Sequence, residues 1–181
     1  MLKAACTQQA FHGASECLQV FGGHGYVREW GIEQVVRDSR VTMIYEGTNE
    51  IQAIDLLVRK VLADGGAGMS GLLIELRDEL DAARDIDADV QRRLAQLRYL
   101  TTTVAMASQA NAALPFEVAD DYLRVVMLAL LAWAWARIGR TAPDPTRGSA
   151  PEAAFSRWVL PEFEMRLGIV KRACEAQQVS T

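Results

Sequence analysis

The sequence predicts an all-α protein. Apolar residues recur at three- and four-residue steps through most of its 181 residues, and no stretch sustains the two-residue alternation of a half-buried strand. Half of the residues are hydrophobic, enough to bury a core. The expected architecture is a bundle of antiparallel helices. A glycine-rich linker at 64–71 would divide it into an N-terminal part, 1–63, and a further helical domain, 72–181.

The first helix spans 1–21. Phe11, Ala14, Leu18 and Phe21 mark its stripe, and Gly22-Gly23 stops it as glycine does at a helix end. Residues 24–31 read as a turn rich in glycine and aromatics. A short helix from Ile32 to Val41 should bury Ile32, Val35 and Val36. The apolar stretch Met43-Ile44-Tyr45 ends at Glu46-Gly47, and Thr48 or Asn49 can cap a helix striped by Ile51, Ile54, Val58 and Val61.

Four glycines in eight residues make Asp64–Gly71 a linker. Gly66, Gly68 and Gly71 form a GxGxxG spacing, but a helix precedes it, and a dinucleotide fingerprint needs a strand there. Beyond it, Leu73, Leu76, Leu80 and Ala83 mark one helix. Leu94, Leu97, Leu100 and Val104 mark a second, running to about Leu114. Pro115 interrupts, and an apolar helix from Phe116 to Ile138 follows. Residues 139–152, with three prolines and two glycines, read as a loop before a last helix over 153–177 that can start at Pro161.

Bulk properties exclude several classes. A net charge of −4, with arginines scattered among acids, lacks the basic stripe of a nucleic-acid binder. The longest uninterrupted apolar run, Val125–Ala136, is short of the about 20 residues a bilayer requires. Cys6, Cys17 and Cys174 show no metal-ligand spacing. On one helix, Cys6 and Cys17 would sit roughly 16 Å apart at ~1.5 Å per residue, too far for a disulfide. Three reduced thiols in a cytoplasmic protein are expected.

Two clusters can carry chemistry. In Met43-Ile44-Tyr45-Glu46-Gly47-Thr48 a carboxylate follows apolar residues. Burial of the loop would desolvate it and make it a stronger proton acceptor. Backbone N–H groups around Gly47 and Thr48, at a helix start, can donate to a carbonyl oxygen or a phosphate. These parts suit proton abstraction from carbon, although a Glu beside a helix start is more often solvated or capping. The second cluster, Gln19 to Tyr26, exposes backbone amides that can meet a pyrophosphate or a ring edge; a plain helix stop with a tight turn is the competing reading. His12 reads as a surface residue and His24 as part of the glycine turn. Nothing points to a Ser-His-Asp or Cys-His arrangement.

QVFGGHGY, VVRDSR and IYEGTNEIQ, in this order over Gln19–Leu62, resemble the C-terminal signature of the acyl-CoA dehydrogenases. The resemblance implies that Glu46 is the base that takes the α-proton of an acyl-CoA while a hydride leaves the β-carbon for FAD. Tyr45, Glu46 and Gly47 would line the substrate, with the Glu46 N–H on the thioester carbonyl. Gln19, Val20, Phe21, Gly22 and Gly23 would contact the FAD of a neighbouring subunit, so a homo-oligomer is implied. Thr48 and Glu50 would also touch FAD, although many members carry Gln at the latter place and a carboxylate cannot donate as an amide does. Arg37 and Asp38 match a recurrent pair read as structural. An electron-transferring flavoprotein is the implied electron acceptor.

The helices after Gly71 resemble those of a longer bacterial branch that includes the methylthiopropionyl-CoA dehydrogenases. They are expected to pack on the core or serve the oligomer interface. The family's N-terminal helical and middle β domains, which hold most of the flavin, are not in this sequence. The chain is therefore expected to be a fragment or one half of a two-part enzyme, binding FAD weakly or not at all by itself and turning over no substrate. The alternatives are a non-catalytic helical interaction or regulatory module derived from this fold, and an unrelated helical binding protein.

Overall fold

Helix breakers and caps set the element boundaries. The structure, a computed structural model, describes residues 2–141 and 149–178. Helix α1 spans Leu2–Phe21 and ends at Gly22, whose φ is +60°. Short 3-10 turns follow at Gly22–Tyr26 and Arg28–Trp30, then α2, Ile32–Thr42. Helix α3, Asn49–Ile54, starts behind Thr48, whose hydroxyl accepts from the Ile51 N–H, and gives way to a π-helix, Asp55–Val61. A 3-10 turn, Leu62–Asp64, leads to α4, Ala67–Asp78. The long helices α5, Asp85–Ala110, and α6, Leu114–Thr141, come next. Last are α7, Ser149–Ala154, a π-helix at Phe155–Val159, and α8, Glu162–Gln178. No strand occurs among the described residues, so the all-α expectation holds.

The chain divides into two units, Met1–Asp55 and Leu56–Thr181. In the first, α2 and α3 pack on α1. Its buried apolar residues are all alanines: Ala4, Ala5, Ala14 and Ala53. Small side chains let helices approach closely, but they remove little apolar surface from water. The larger apolar side chains stay outside, among them Val20, Tyr26, Trp30, Val41 and Ile44. The expected burial of Ile32, Val35 and Val36 is therefore corrected: none is buried, and Val35 is 50% exposed. Ile51, placed on the α3 stripe, is exposed as well.

The second unit has a conventional core, with α6 packed on α5 and α8, and α4 on α5. Leu97, Leu100, Val104, Tyr122, Val125, Leu128 and Phe163 have essentially no solvent access. Helix α6 is long and apolar enough to cross a bilayer by length and composition. Of its most apolar 18-residue window, 56% is buried inside the fold, and its Arg124 donates twice to Glu162 of α8, at 2.8 and 2.6 Å. Cys174 is buried in α8, where burial pushes its thiol pKa up, and all three cysteines are free thiols.

Four readings change in detail. The glycine-rich stretch is not all linker, because α4 begins at Ala67; the Asp64 carboxylate caps it, accepting from Gly66 N–H at 3.0 Å and Gly68 N–H at 2.8 Å. Helix α4 ends at Asp78, short of Leu80 and Ala83, although Leu80 is buried from the turn that follows. Pro115 does not interrupt a helix: α5 ends at Ala110, and Pro115 sits in the first turn of α6, where its missing N–H costs nothing. The loop expected over 139–152 is helical at 139–141 and 149–152, and its middle lies outside the described residues.

Tyr122 gives the second unit a pH signature. Its hydroxyl lies 2.7 Å from Thr101 Oγ1, whose own proton goes to Leu97 O at 2.9 Å, so Tyr122 is the donor. Burial pushes the phenol pKa up to about 12; on ionisation Thr101 can turn its proton to the phenolate and recover part of that cost. A folded-state pKa above the unfolded value of 10.0 gives stability that is present below pH 10 and lost as pH rises towards about 12. The size is about 2–3 kcal/mol. Denaturant midpoints should fall between pH 9 and 11, and Tyr122→Phe should flatten that fall.

Candidate active site

Glu46 is set by local geometry in the loop between α2 and α3. The chain leaves α2 through turns in which the Ile44 and Tyr45 N–H groups both donate to Val41 O, and Asn49 N–H closes the loop on Met43 O at 3.3 Å. Glu46 has φ +54°, the one positive φ outside glycine among the described residues, and Gly47 follows at +87°. The positive φ calls for glycine at position 47, and a Cβ there would stand 3.1 Å from Gln52 Nε2 and crowd that side chain.

Glu46 and Gly47 are two positive-φ residues in succession. Among the described residues, no acceptor is in place for the N–H groups of Glu46, Gly47 and Thr48. Successive free N–H groups make a concave donor set suited to an oxyanion or a polarised carbonyl oxygen. The Glu46 carboxylate beside them is exposed, so the described residues do not supply the desolvation the sequence suggested. Tyr45 is half exposed, and Gly47 and Thr48 are partly covered.

The loop is fastened to the first turns of α1. Lys3 Nζ donates to Gly47 O at 2.7 Å and reaches Asn49 Oδ1 at 3.4 Å. Thr7 Oγ1 lies 3.1 Å from Asn49 Oδ1, and Asn49 Nδ2 donates to Ala4 O at 3.3 Å. Asn49 is buried. From the other side, Gln52 Nε2 donates to Glu46 O at 3.3 Å. Sequence reading missed Lys3, Thr7 and Gln52 and weighed Asn49 only as a cap. No local pattern joins residues some 40 positions apart.

Glu50 stands in the first turn of α3. Hydrogen bonding from Thr48 and from its own backbone N–H, helped by the charges of Arg40 and Lys3, holds its carboxyl below the usual carboxylate range. It is an acceptor at neutral pH, and the amide-like donation implied by the family pattern is unavailable from it.

Gln19, Val20, Phe21, Gly22 and Gly23 lie at the far end of α1 and are all exposed, Val20 at 86%. Lys3 and Gln19 are separated by roughly 24 Å along the helix at ~1.5 Å per residue. The glycine turn is fixed by Gly25, where a Cβ would meet Leu18 O at 2.8 Å, and by Trp30, whose ring meets Phe21 and His24 edge-on. A cleft of about 730 Å³ beside it is lined by Tyr26, Arg28, Gln34 and Arg37, among others. Arg37 is exposed and Asp38 accepts from Gln34 at 2.7 Å. The unit thus carries two separate surfaces, one around Glu46 and one around the glycine turn.

Known proteins resemble part of the chain. Residues 1–62 match the family model "Acyl-CoA dehydrogenase, C-terminal domain". Residues 1–62 are thus similar to the C-terminal domain of the acyl-CoA dehydrogenases. A 3-methylmercaptopropionyl-CoA dehydrogenase of Ruegeria pomeroyi is 40% identical over 101 residues, which is 54% of this chain and 17% of that protein. A broad-specificity linear acyl-CoA dehydrogenase of Mycobacterium tuberculosis, FadE5, is 30% identical over 108 residues, 60% of this chain and 18% of its own. Both alignments are longer than the 62-residue family match, so both include residues outside it. The acyl-CoA dehydrogenase of Bacillus subtilis is 42% identical over 65 residues. The chain covers less than a fifth of the length of these relatives.

Proposed function

We propose that the chain is the C-terminal portion of an FAD-dependent acyl-CoA dehydrogenase that introduces an α,β double bond into an acyl-CoA thioester. The observation that carries this reading is the Glu46–Thr48 loop, where one carboxylate stands beside three backbone N–H groups with no acceptor of their own. The thioester carbonyl accepts from that donor set, with the Glu46 N–H its first partner. Charge that grows on the oxygen as the α-proton leaves is stabilised there. Glu46 takes the α-proton. Bound FAD supplies the chemistry this chain lacks, accepting the β-hydrogen with its electron pair.

Thr48 and Glu50, next to the base, meet one FAD. The free N–H donors suit the acceptor atoms of such a cofactor, and Glu50 suits its hydroxyls. Gln19–Gly23, roughly 24 Å away along α1, serve the FAD of a second subunit, so the working form is an oligomer. The exposed apolar side chains of the first unit are the surface that the remaining dehydrogenase domains and the second subunit cover. The helices from α4 onward form an added domain that packs on the core or on the interface. An electron-transferring flavoprotein would be the electron acceptor. By themselves the 181 residues hold FAD weakly and turn over no substrate, because Glu46 is open to water.

The test is to combine this chain with the N-terminal and middle dehydrogenase domains and add saturated acyl-CoA thioesters anaerobically. Bleaching of bound flavin and a 2-enoyl-CoA product are expected. A complex that binds FAD and is never bleached by any acyl-CoA favours the non-catalytic helical module. A yellow, active preparation of the 181 residues alone contradicts the incomplete-site reading.

A further inference from the structure

We propose that Lys3 is a positioning residue for the catalytic loop, holding the Glu46–Gly47 turn in place through the Gly47 carbonyl. This rests on the reading of Glu46 as the base. A non-glycine residue at positive φ is disfavoured and persists only where its surroundings hold it. At Glu46 the holding groups can be named. The two carbonyls on either side of the Gly47 Cα are both engaged, Glu46 O by Gln52 Nε2 at 3.3 Å and Gly47 O by Lys3 Nζ at 2.7 Å. The Lys3 bond is the shorter of the two, and its donor is an ammonium, so it is the stronger restraint.

Lys3 also has little freedom to leave. Its ammonium and the Thr7 hydroxyl, one helical turn further on, converge on Asn49 Oδ1, and Asn49 returns a bond to Ala4 O. Asn49 is 6% exposed, so the cluster is sealed on the side of the loop that faces α1. The loop is thus referenced to the axis of α1. The free N–H groups and the Glu46 carboxylate take their direction from that anchor. Lys3 itself points to a backbone carbonyl and has no part in the proton transfer. Loss of its bond lets the turn relax and moves the base off the line of the α-proton, where displacements of about 1 Å cost up to about 100-fold in rate.

The experiment uses Lys3→Met and Lys3→Arg in the assembled dehydrogenase with FAD bound, assayed with α-protiated and α-dideuterated acyl-CoA. Lys3→Met should keep FAD content and hold KM within about threefold, while kcat falls by about 10- to 100-fold. The α-deuterium isotope effect on kcat should rise, because proton abstraction becomes more fully rate-limiting. Lys3→Arg, which keeps a charged donor, should recover at least part of kcat. A merely structural role lowers the amount of active enzyme and leaves the isotope effect where it was. If Lys3→Met gives no flavin-bearing enzyme, Lys3→Gln is read in the same way: a raised isotope effect supports the role and an unchanged one overturns it. Glu46→Gln separates the two layers of argument. An inactive Glu46→Gln beside a fully active Lys3→Met overturns the Lys3 role alone, whereas an active Glu46→Gln overturns the reading beneath it.

Discussion

Glu46→Gln in the assembled dehydrogenase should bind FAD as the parent does and lose turnover by about 10³-fold or more, the middle of the range for removal of a general base or above. The substitution is nearly isosteric. None of the bonds that fix the loop uses the Glu46 carboxylate: Lys3 and Gln52 hold backbone carbonyls, and Asn49 N–H closes on Met43 O. The donor set of backbone N–H groups therefore survives, and with it the grip on the thioester carbonyl. What disappears is an atom able to take a proton. KM should change little, kcat should carry the loss, and flavin absorbance should report full occupancy. Turnover within tenfold of the parent would mean that the base lies elsewhere and that Glu46 is the solvated or capping residue a bland reading makes of it.

The helices were legible because three- and four-residue periodicity is a local property. The stop of α1 at Gly22, the start of α2 at Ile32 and the capping of α3 by Thr48 all follow from neighbouring residues. Burial was less legible, because a periodic apolar face says that something covers it and not what does. In the second unit the cover is another helix of the same chain, so Leu94, Leu97, Leu100 and Val104 are buried as their stripe suggests. In the first unit the stripe of Ile32, Val35 and Val36 meets too little of the chain to be buried. Its alanine core could not have been read as a core from periodicity, since alanine also fills exposed helix faces.

The candidate site divides in the same way. Glu46, Gly47 and Thr48 stand out as candidates because a carboxylate between an apolar run and a glycine at a helix start is unusual locally, and the family resemblance implies a role for each. Lys3 was missed, and Asn49 was read only as a cap, because their meeting depends on α1 and the loop being brought together across about 40 residues. A lysine in the first turn of an amphipathic helix reads as a solvated residue. The positive φ of Glu46, which explains why that loop needs an external restraint, is a fact of the backbone that no residue type announces.

The second unit contains a buried charge whose removal should be felt across three elements. The Asp87 carboxylate, in the first turn of α5, has no solvent access. Its Oδ2 accepts from Asp81 N–H at 2.9 Å, which fixes the turn after α4, and from Arg140 Nη1 at 2.7 Å, which fixes the end of α6. Its Oδ1 accepts no hydrogen bond, and Arg84 Nη1 comes only to 4.0 Å. The positive end of the α5 dipole helps, but by well under what burying an anion costs. Arg140 is thus the main compensation, and it is 20% exposed, so it loses less hydration than Asp87 does. The asymmetry predicts an order of effects. Arg140→Met strands a buried carboxylate and should cost about 3–5 kcal/mol, whereas Asp87→Asn leaves Arg140 able to reach water and should cost about 1–3 kcal/mol. The double variant should be more stable than Arg140→Met alone, because the neutral amide no longer needs the guanidinium. Urea denaturation of the four proteins measures the cycle directly. Equal losses for the two single variants, adding in the double, would show that the contact is a surface-like pair of little consequence.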